Sequence, residues 1–312
     1  MISFGPVPSR RLGKSLGINN IPSVKVCSYA CTCCQVGRTS KHTITREQFY
    51  SPEVLCGEVE KHLSSLASAE MPDYLTFVSN GEPTLDINLG ASILRLKQLG
   101  YPVAVITNAS LLFDPMVAEE LMLADWVSVK VDTAQADIWK KQNRPHKGLS
   151  FDQHNQGILD FSAQYKGVLA TETMLVNQSN DSHEALTQTA SFIKQIDPST
   201  AYLSIPTRPP MLQNAIAPSE QKVNEAFHIF SYHNINTELL LGFEGTNFGH
   251  TGNIYEDIVN ICTVHPIREE AMQTLIQKNG AKESVLEELI KSKAIRRIEY
   301  QSNIYYIRHF NI

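Results

Sequence analysis

Short apolar runs recur along the chain with longer mixed segments between them. Tyr74-Leu-Thr-Phe-Val, Val103-Ala-Val-Ile-Thr, Trp126-Val-Ser-Val-Lys-Val, Val168-Leu-Ala-Thr-Glu-Thr-Met-Leu, Tyr202-Leu-Ser-Ile and Thr237-Glu-Leu-Leu-Leu each have strand length. They are continuous rather than strictly alternating, as in strands of a parallel sheet covered by helices. The segments between them carry helix start signals. Ser51-Pro52 and Asp114-Pro115 set a capping residue before a first-turn proline. Asp181-Ser-His-Glu184 has the form of a capping box, with Asp in the Ser/Thr place. Strand and helix in regular alternation predict βαβ units and an α/β fold with a parallel sheet, open or closed. The pattern alone does not choose between a doubly wound sheet and a barrel.

The pattern changes after His265-Pro266. The periodicity predicts a helix over 267–278, ending before Gly280, and a second from about Lys282 to Lys291. Ile295-Arg-Arg-Ile-Glu-Tyr and Ile304-Tyr-Tyr-Ile-Arg then flank Gln301-Ser-Asn, a hairpin signal. Two helices and a hairpin suggest a small winged-helix-like C-terminal domain over 263–312, following a core over 1–262.

Composition narrows the class. The 312 residues allow one large domain, or one plus a small appendage, and 42% hydrophobic content allows a full core. A net charge of −5 argues against a broad nucleic-acid-binding surface. No apolar run reaches the ~18 residues of a membrane span, and the start Met1-Ile-Ser-Phe-Gly-Pro does not read as a secretion signal. The expectation is a cytoplasmic protein with no membrane partner.

Three cysteines, Cys27, Cys31 and Cys34, stand in the frame C-x3-C-x2-C. Thiolates so close together are hard to explain as packing, and soft sulfur ligands favour zinc or iron–sulfur clusters. Zinc normally takes four ligands, often as two spaced pairs, and here Cys56 and Cys262 stand alone. A disulfide framework is not expected in a long chain with so few cysteines. Cys56 and Cys262 fall in helical segments and read as small buried apolar residues.

The wording around the cysteines is more specific. Phe4-Gly-Pro-Val-Pro-Ser-Arg-Arg-Leu-Gly, Ser15-Leu-Gly-Ile-Asn, the cysteine frame and Gln35-Val-Gly-Arg-Thr resemble the radical S-adenosylmethionine (SAM) superfamily. Within it they resemble the subgroup often placed with the wyosine tRNA synthetases. The resemblance implies a partial TIM barrel, (β/α)6. It implies a [4Fe–4S] cluster on Cys27, Cys31 and Cys34, with S-adenosyl-L-methionine on the open iron. It also implies a flavodoxin- or ferredoxin-type reductant and reductive cleavage of SAM to a 5′-deoxyadenosyl radical. One residue departs from the family pattern: Cys33 stands where an aromatic usually precedes the third cysteine. It reads as a non-ligand.

Ser79-Asn-Gly-Glu-Pro-Thr84 directly follows a predicted strand, and strand C-termini hold the active site in βα barrels. It resembles the superfamily's glycine–glutamate motif, which makes Gly81, Glu82, Pro83 and Thr84 candidates for holding the methionine end of SAM. Asn108, Lys130, Asp132, Glu172 and Ser204 also sit at strand ends. Charges within apolar strands are costly unless paired, so Lys130, Asp132 and Glu172 are either site residues or a structural ion network. Asn143-Arg-Pro-His146 and Pro206-Thr-Arg-Pro-Pro210 are stiffened loops presenting Arg144, His146 and Arg208. Arg10-Arg11 would bind an anion near the cluster or brace the first strand.

The substrate is left unidentified, with a protein or a small metabolite favoured. One alternative is tRNA modification resembling wyosine synthesis. Another is a zinc or cluster protein with a nucleic-acid-binding tail, against which stand Glu283, Glu287 and Glu288 on the would-be recognition helix.

Overall fold

The apolar runs form the strands of one sheet. In the computed structural model, which describes residues 2–22, 24–241, 248–249, 251–282 and 284–309, the strands assemble in chain order. Two come from the N-terminal segment, β1 (Ser3–Ser9) and β2 (Gly13–Ile18), and pair antiparallel. A two-stranded ribbon follows, β3 (Val26–Cys27) with β4 (Lys41–His42). Then come β5 (Tyr74–Phe77), β6 (Val103–Thr107), β7 (Trp126–Lys130), β8 (Val168–Met174), β9 (Thr200–Ser204) and β10 (Thr237–Leu240). The sheet order is β1-β2-β5-β6-β7-β8-β9-β10, parallel from β2 onward. It curls into an open half-barrel, the expected partial TIM barrel.

Helices cover the outside: α1 (Pro52–Ser65), α2 (Leu89–Lys97), α3 (Pro115–Leu121), α4 (Ala136–Gln142), α5 (Phe151–Gln164), α6 (His183–Ile196) and α7 (Glu220–Tyr232). Ser51 and Asp114 cap α1 and α3 as their prolines predict. The cap of α6 is Ser182 rather than Asp181: its hydroxyl accepts from the Ala185 N–H at 3.2 Å. The main core lies between the sheet and these helices.

The β1–β2 turn closes the open side. Leu12 joins Ala104, Trp126, Ala170, Tyr202 and Leu240 in a cluster inside the barrel, drawn from five other strands. Arg10 donates to the Leu241 carbonyl at 2.7 Å, beside the last strand. Arg11 crosses to Glu172 on β8 and lies 6.0 Å from the Tyr202 ring centroid. Both arginines therefore brace the first hairpin.

The C-terminal part holds α8 (Ile254–Val264), β11 (Ile267–Arg268), α9 (Glu269–Lys278), α10 (Ser284–Lys291), β12 (Ile295–Tyr300) and β13 (Asn303–Arg308). The helix expected from residue 267 starts two residues later, because Ile267 and Arg268 pair with Tyr306 and Tyr305. Gln301 and Ser302 take positive φ values of 48° and 59°, the twist a two-residue hairpin turn needs. Glu283 lies outside the described residues. A second core joins Phe4 of β1 with Phe248, Ile258, Ile261, Met272, Leu289 and Tyr306. Among the described residues no helix is long and apolar enough to cross a membrane.

Candidate active site

The C-terminal ends of the parallel strands open on one mouth, where such barrels gather their chemistry. The cysteine loop lies across it and is held by backbone bonds on every side. Val26 N donates to the Asn80 carbonyl (3.3 Å), and Glu82 N donates to the Val26 carbonyl (3.0 Å). Ala30 N donates to Asn143 O at 3.1 Å, Thr32 N to Gln142 O at 2.9 Å, and His146 N to Ser28 O at 2.8 Å. The Asn143–His146 loop is thus a brace for the cysteine loop, with the Arg144 side chain exposed.

The four neighbouring thiols have different surroundings. Cys27 Sγ accepts from Tyr29 N (3.4 Å) and Asn108 Nδ2 (3.7 Å). Cys31 Sγ accepts from Asn143 Nδ2 at 3.6 Å. Cys34 Sγ lies 3.0 Å from Lys25 Nζ. Cys33 packs with Val176 and Ala215, with Cys31 and Met174 against the same cluster. Burial pushes the Cys27 and Cys31 thiols up to about 12 and Cys33 well above its ordinary value. Burial acts on Cys34 too, but the Lys25 ammonium outweighs it and holds this thiol below its usual range.

Among the described residues no three His, Cys, Asp or Glu side chains converge closely enough to hold a single metal ion. A multi-iron cluster needs no such convergence, because its thiolates bind different irons. N–H donors aimed at three sulfurs suit a thiolate-held cluster, which needs three thiolates where structural zinc takes four ligands. Cys56 and Cys262 are buried elsewhere, with their thiols near the Ser92 and Tyr306 carbonyls.

The Gly81–Thr84 turn is tied to that loop. Gly81 has φ +141°, and a Cβ placed on it would stand 1.7 Å from the Val26 carbonyl oxygen. The glycine is required because the backbone preceding Cys27 passes against it. Glu82 is buried and its carboxylate is fully engaged: Oε1 accepts from Thr84 N (3.1 Å), Thr84 Oγ1 (2.7 Å) and Thr107 Oγ1 (2.6 Å), Oε2 from Asn108 N (2.7 Å). Glu82 thereby fixes Asn108, which reaches Cys27. Pro83 opens a short buried 3₁₀ turn, Pro83–Leu85.

Across the mouth lies an ion network. Lys130 Nζ is 3.4 Å from Asp132 Oδ1 and 3.8 Å from Glu172 Oε1. Asp132 also accepts from Asn143 Nδ2 (2.6 Å) and Met174 N (2.8 Å). Ser204 Oγ donates to Glu172 Oε1 at 3.1 Å. Burial alone would raise Glu172, but Arg11 and then Lys130 outweigh it and bring its carboxyl to about 2. Burial likewise opposes the Lys130 charge, and Asp132 and Glu172 more than restore it.

Arg208 donates to Gln35 Oε1 at 2.7 Å and meets His265 Nε2 at 2.6 Å. Its loop is tethered by the tail: Tyr300 OH donates to Pro206 O (3.1 Å) and Tyr305 OH to Thr207 O (2.7 Å). A cavity of about 80 Å³ is lined by Arg11, Leu12 and Ser15 of the hairpin and by Gln35, Arg208 and His265 of the mouth.

Three participants escaped the sequence reading: Lys25, Asn143 and the pairing of Arg11 with Glu172. Lys25 left a signal, a cation two residues before the first cysteine, and the pairing left half of one, the Glu172 charge within an apolar strand.

Residues 21–190 match the model of the Radical SAM superfamily. A UPF0026 protein of Methanocaldococcus jannaschii is 42% identical over 310 residues, covering 99% of this chain and 96% of the relative. Among solved structures, SuiB of Streptococcus suis bound to S-adenosylmethionine aligns with a TM-score of 0.54 at 13% identity. It covers 72% of this chain and 51% of that one. A structure of TYW1 with a lysine-pyruvate adduct bound aligns over 96% of this chain and 82% of that one, at 12% identity and a TM-score of 0.48.

Proposed function

Because the chain belongs to the radical SAM superfamily, we propose that it holds a [4Fe–4S] cluster on Cys27, Cys31 and Cys34 and cleaves S-adenosylmethionine reductively. The observation that carries this reading is the N–H donors at the barrel mouth: they reach Cys27, Cys31 and Cys34, whereas the contacts of Cys33 are with Val176 and Ala215 beside Cys31. When bound, the cluster supplies an open iron for the amino and carboxylate groups of SAM and an electron for its sulfonium bond, giving methionine and a 5′-deoxyadenosyl radical.

The chain's own residues set the stage for this. The Lys25 ammonium at 3.0 Å favours the thiolate form of Cys34, while Asn108 and Asn143 donate to Cys27 and Cys31. The Gly81-Glu82-Pro83-Thr84 turn forms the wall for the methionine end of SAM. Its role there is carried by backbone groups, since the Glu82 carboxylate already has four donors. Lys130 stands farther than a close hydrogen bond from both of its carboxylates, so it keeps donors for the SAM carboxylate. Asn108, Asp132, Glu172 and Ser204 form the polar floor. The Leu12, Trp126 and Tyr202 cluster closes the far end and keeps water from a reactive radical.

The reductant in this reading is a flavodoxin- or ferredoxin-type carrier, and the substrate is a protein or a small metabolite. Residues 263–312 act as a winged-helix-like domain, a reading supported by their three-stranded sheet β11-β13-β12. The test is anaerobic reconstitution with iron and sulfide, followed by SAM and dithionite. The expected product is 5′-deoxyadenosine, absent from a Cys31→Ala chain. Stoichiometric zinc in anaerobically prepared protein, with no 5′-deoxyadenosine formed, would overturn the reading.

A further inference from the structure

The outer side of the cysteine loop is cationic. Residues 38–47 and 137–147 carry seven Lys and Arg against two acids, in a chain that holds 27 against 32; one of the seven, Arg46, turns inward onto Glu120 and the Thr84 and Asp86 carbonyls and does not belong to the outer face. The fold brings these two segments together on either side of residues 28–32. Cys27 pairs with His42 in the β3–β4 ribbon, and the backbone of 28–32 bonds to 142–146. The His42 and His146 rings meet at 5.3 Å. Lys41 and Lys141 are exposed and pair with Glu47 and Asp137. Arg38, Lys140, Arg144 and Lys147 are also exposed, and among the described residues none of these four has an acidic partner.

Packing does not explain these charges, since none of the four is buried. Like charges gathered on one face repel each other, and a partner of opposite sign relieves that repulsion and is steered to it. The face directly covers the only cysteine cluster in the described chain. A polyanionic nucleic acid would extend past this compact patch onto a chain that is otherwise strongly acidic. A small acidic protein fits the patch, because transient electron-transfer contacts are small.

We infer that this face docks an acidic one-electron carrier protein, seated on Arg38, Lys140, Arg144 and Lys147. The inference rests on the radical SAM reading of the cysteine site. One electron leaves the reduced carrier and enters the centre held by Cys27, Cys31 and Cys34. The carrier is oxidised by one electron, and no proton or group is exchanged.

The test uses the full chain and a purified flavodoxin as probe, with binding measured by surface plasmon resonance. Wild-type affinity should fall on the order of tenfold as salt rises from low to physiological strength, as for contacts between opposite charges. Arg38→Glu combined with Lys140→Glu and Lys147→Glu should weaken binding at low salt by about tenfold or more. Lys140→Gln with Lys147→Gln should give an intermediate loss, and circular dichroism verifies that both variants are folded. SAM cleavage driven by dithionite should be unchanged in the variants, while cleavage driven by flavodoxin should fall with affinity. Equal flavodoxin binding by wild type and the triple variant would overturn the inference. So would tighter binding of bulk tRNA that the same reversals abolish, since the face would then be a nucleic-acid surface. Failure of wild-type protein to cleave SAM with dithionite would instead refute the radical reading, with the binding data still judging the docking face.

Discussion

Gly81→Ala should damage the cysteine loop before it damages SAM binding. The added Cβ would stand 1.7 Å from the Val26 carbonyl oxygen, where real contacts do not fall below 3.0 Å, so one backbone must move by about 1.3 Å. Neither side can yield freely. Val26 is held by Asn80 and Glu82, and its neighbour Cys27 by Tyr29 and Asn108. A φ of +141° is also strained for alanine. Strain of about 1–3 kcal/mol, plus two backbone hydrogen bonds worth about 0.5–1.5 kcal/mol each, gives a local cost of roughly 2–6 kcal/mol. That is comparable with the stability of a whole domain, about 5–15 kcal/mol, so local displacement of the loop is the cheaper response. Cys27 then leaves its place by about an ångström, enough to cost on the order of a hundredfold in a positioned reaction. The assay is iron and sulfide content per chain after anaerobic reconstitution, alongside thermal unfolding of the metal-free protein. Both should fall in Gly81→Ala, and more in Gly81→Val. Full iron content with an unchanged melting temperature would refute this reasoning. Full iron content with SAM affinity alone lost would show that the glycine serves the cofactor and not the loop.

Replacing Cys33 by Ala should leave iron content near wild type, whereas Ala at Cys27, Cys31 or Cys34 should abolish it; equal loss at Cys33 would make it a ligand. His154 supplies a pH dependence. Its ring stacks on Trp139 beneath the cysteine loop, and burial lowers its pKa from 6.5 to about 4. The neutral ring therefore contributes stability that is fully present above pH 6.5 and is lost as pH falls through about 4. The loss at pH 5 is about 2 kcal/mol. His154→Phe should flatten the melting temperature between pH 7.5 and 5, and parallel slopes for the two proteins would refute the assignment.

The parallel strands were legible because each is a continuous apolar run between helix signals, and all six appear in the sheet. The β1–β2 hairpin was not. Ser3-Phe-Gly-Pro-Val-Pro-Ser9 carries two prolines and a glycine, which argue against a strand unless it lies at a sheet edge, where β1 lies. Two capping candidates stand side by side at Asp181 and Ser182, and only backbone geometry decides between them. The cysteines were legible because their spacing is local. The rest of the mouth is built from long-range pairs, such as Arg11 with Glu172, 161 residues apart. Such pairs leave no periodic trace. Charged residues inside β7 and β8 did announce that something must neutralise them. They could not announce that the partner comes from the first hairpin.

Phe4 on the first strand is buried in the same core as α8, α9 and β13. The first strand and the segment from α8 to β13 therefore finish each other, which sets an order on biosynthesis. As the ribosome releases the chain, the outer face of β1 stays bare until the residues beyond Ile254 have emerged. The cysteines, made early, must also wait for the tyrosines that tether the Arg208 loop. A chain stalled anywhere in the barrel exposes apolar surface beside unprotected thiols. Iron loading that follows release of the complete polypeptide meets a formed mouth; loading during synthesis meets half of one.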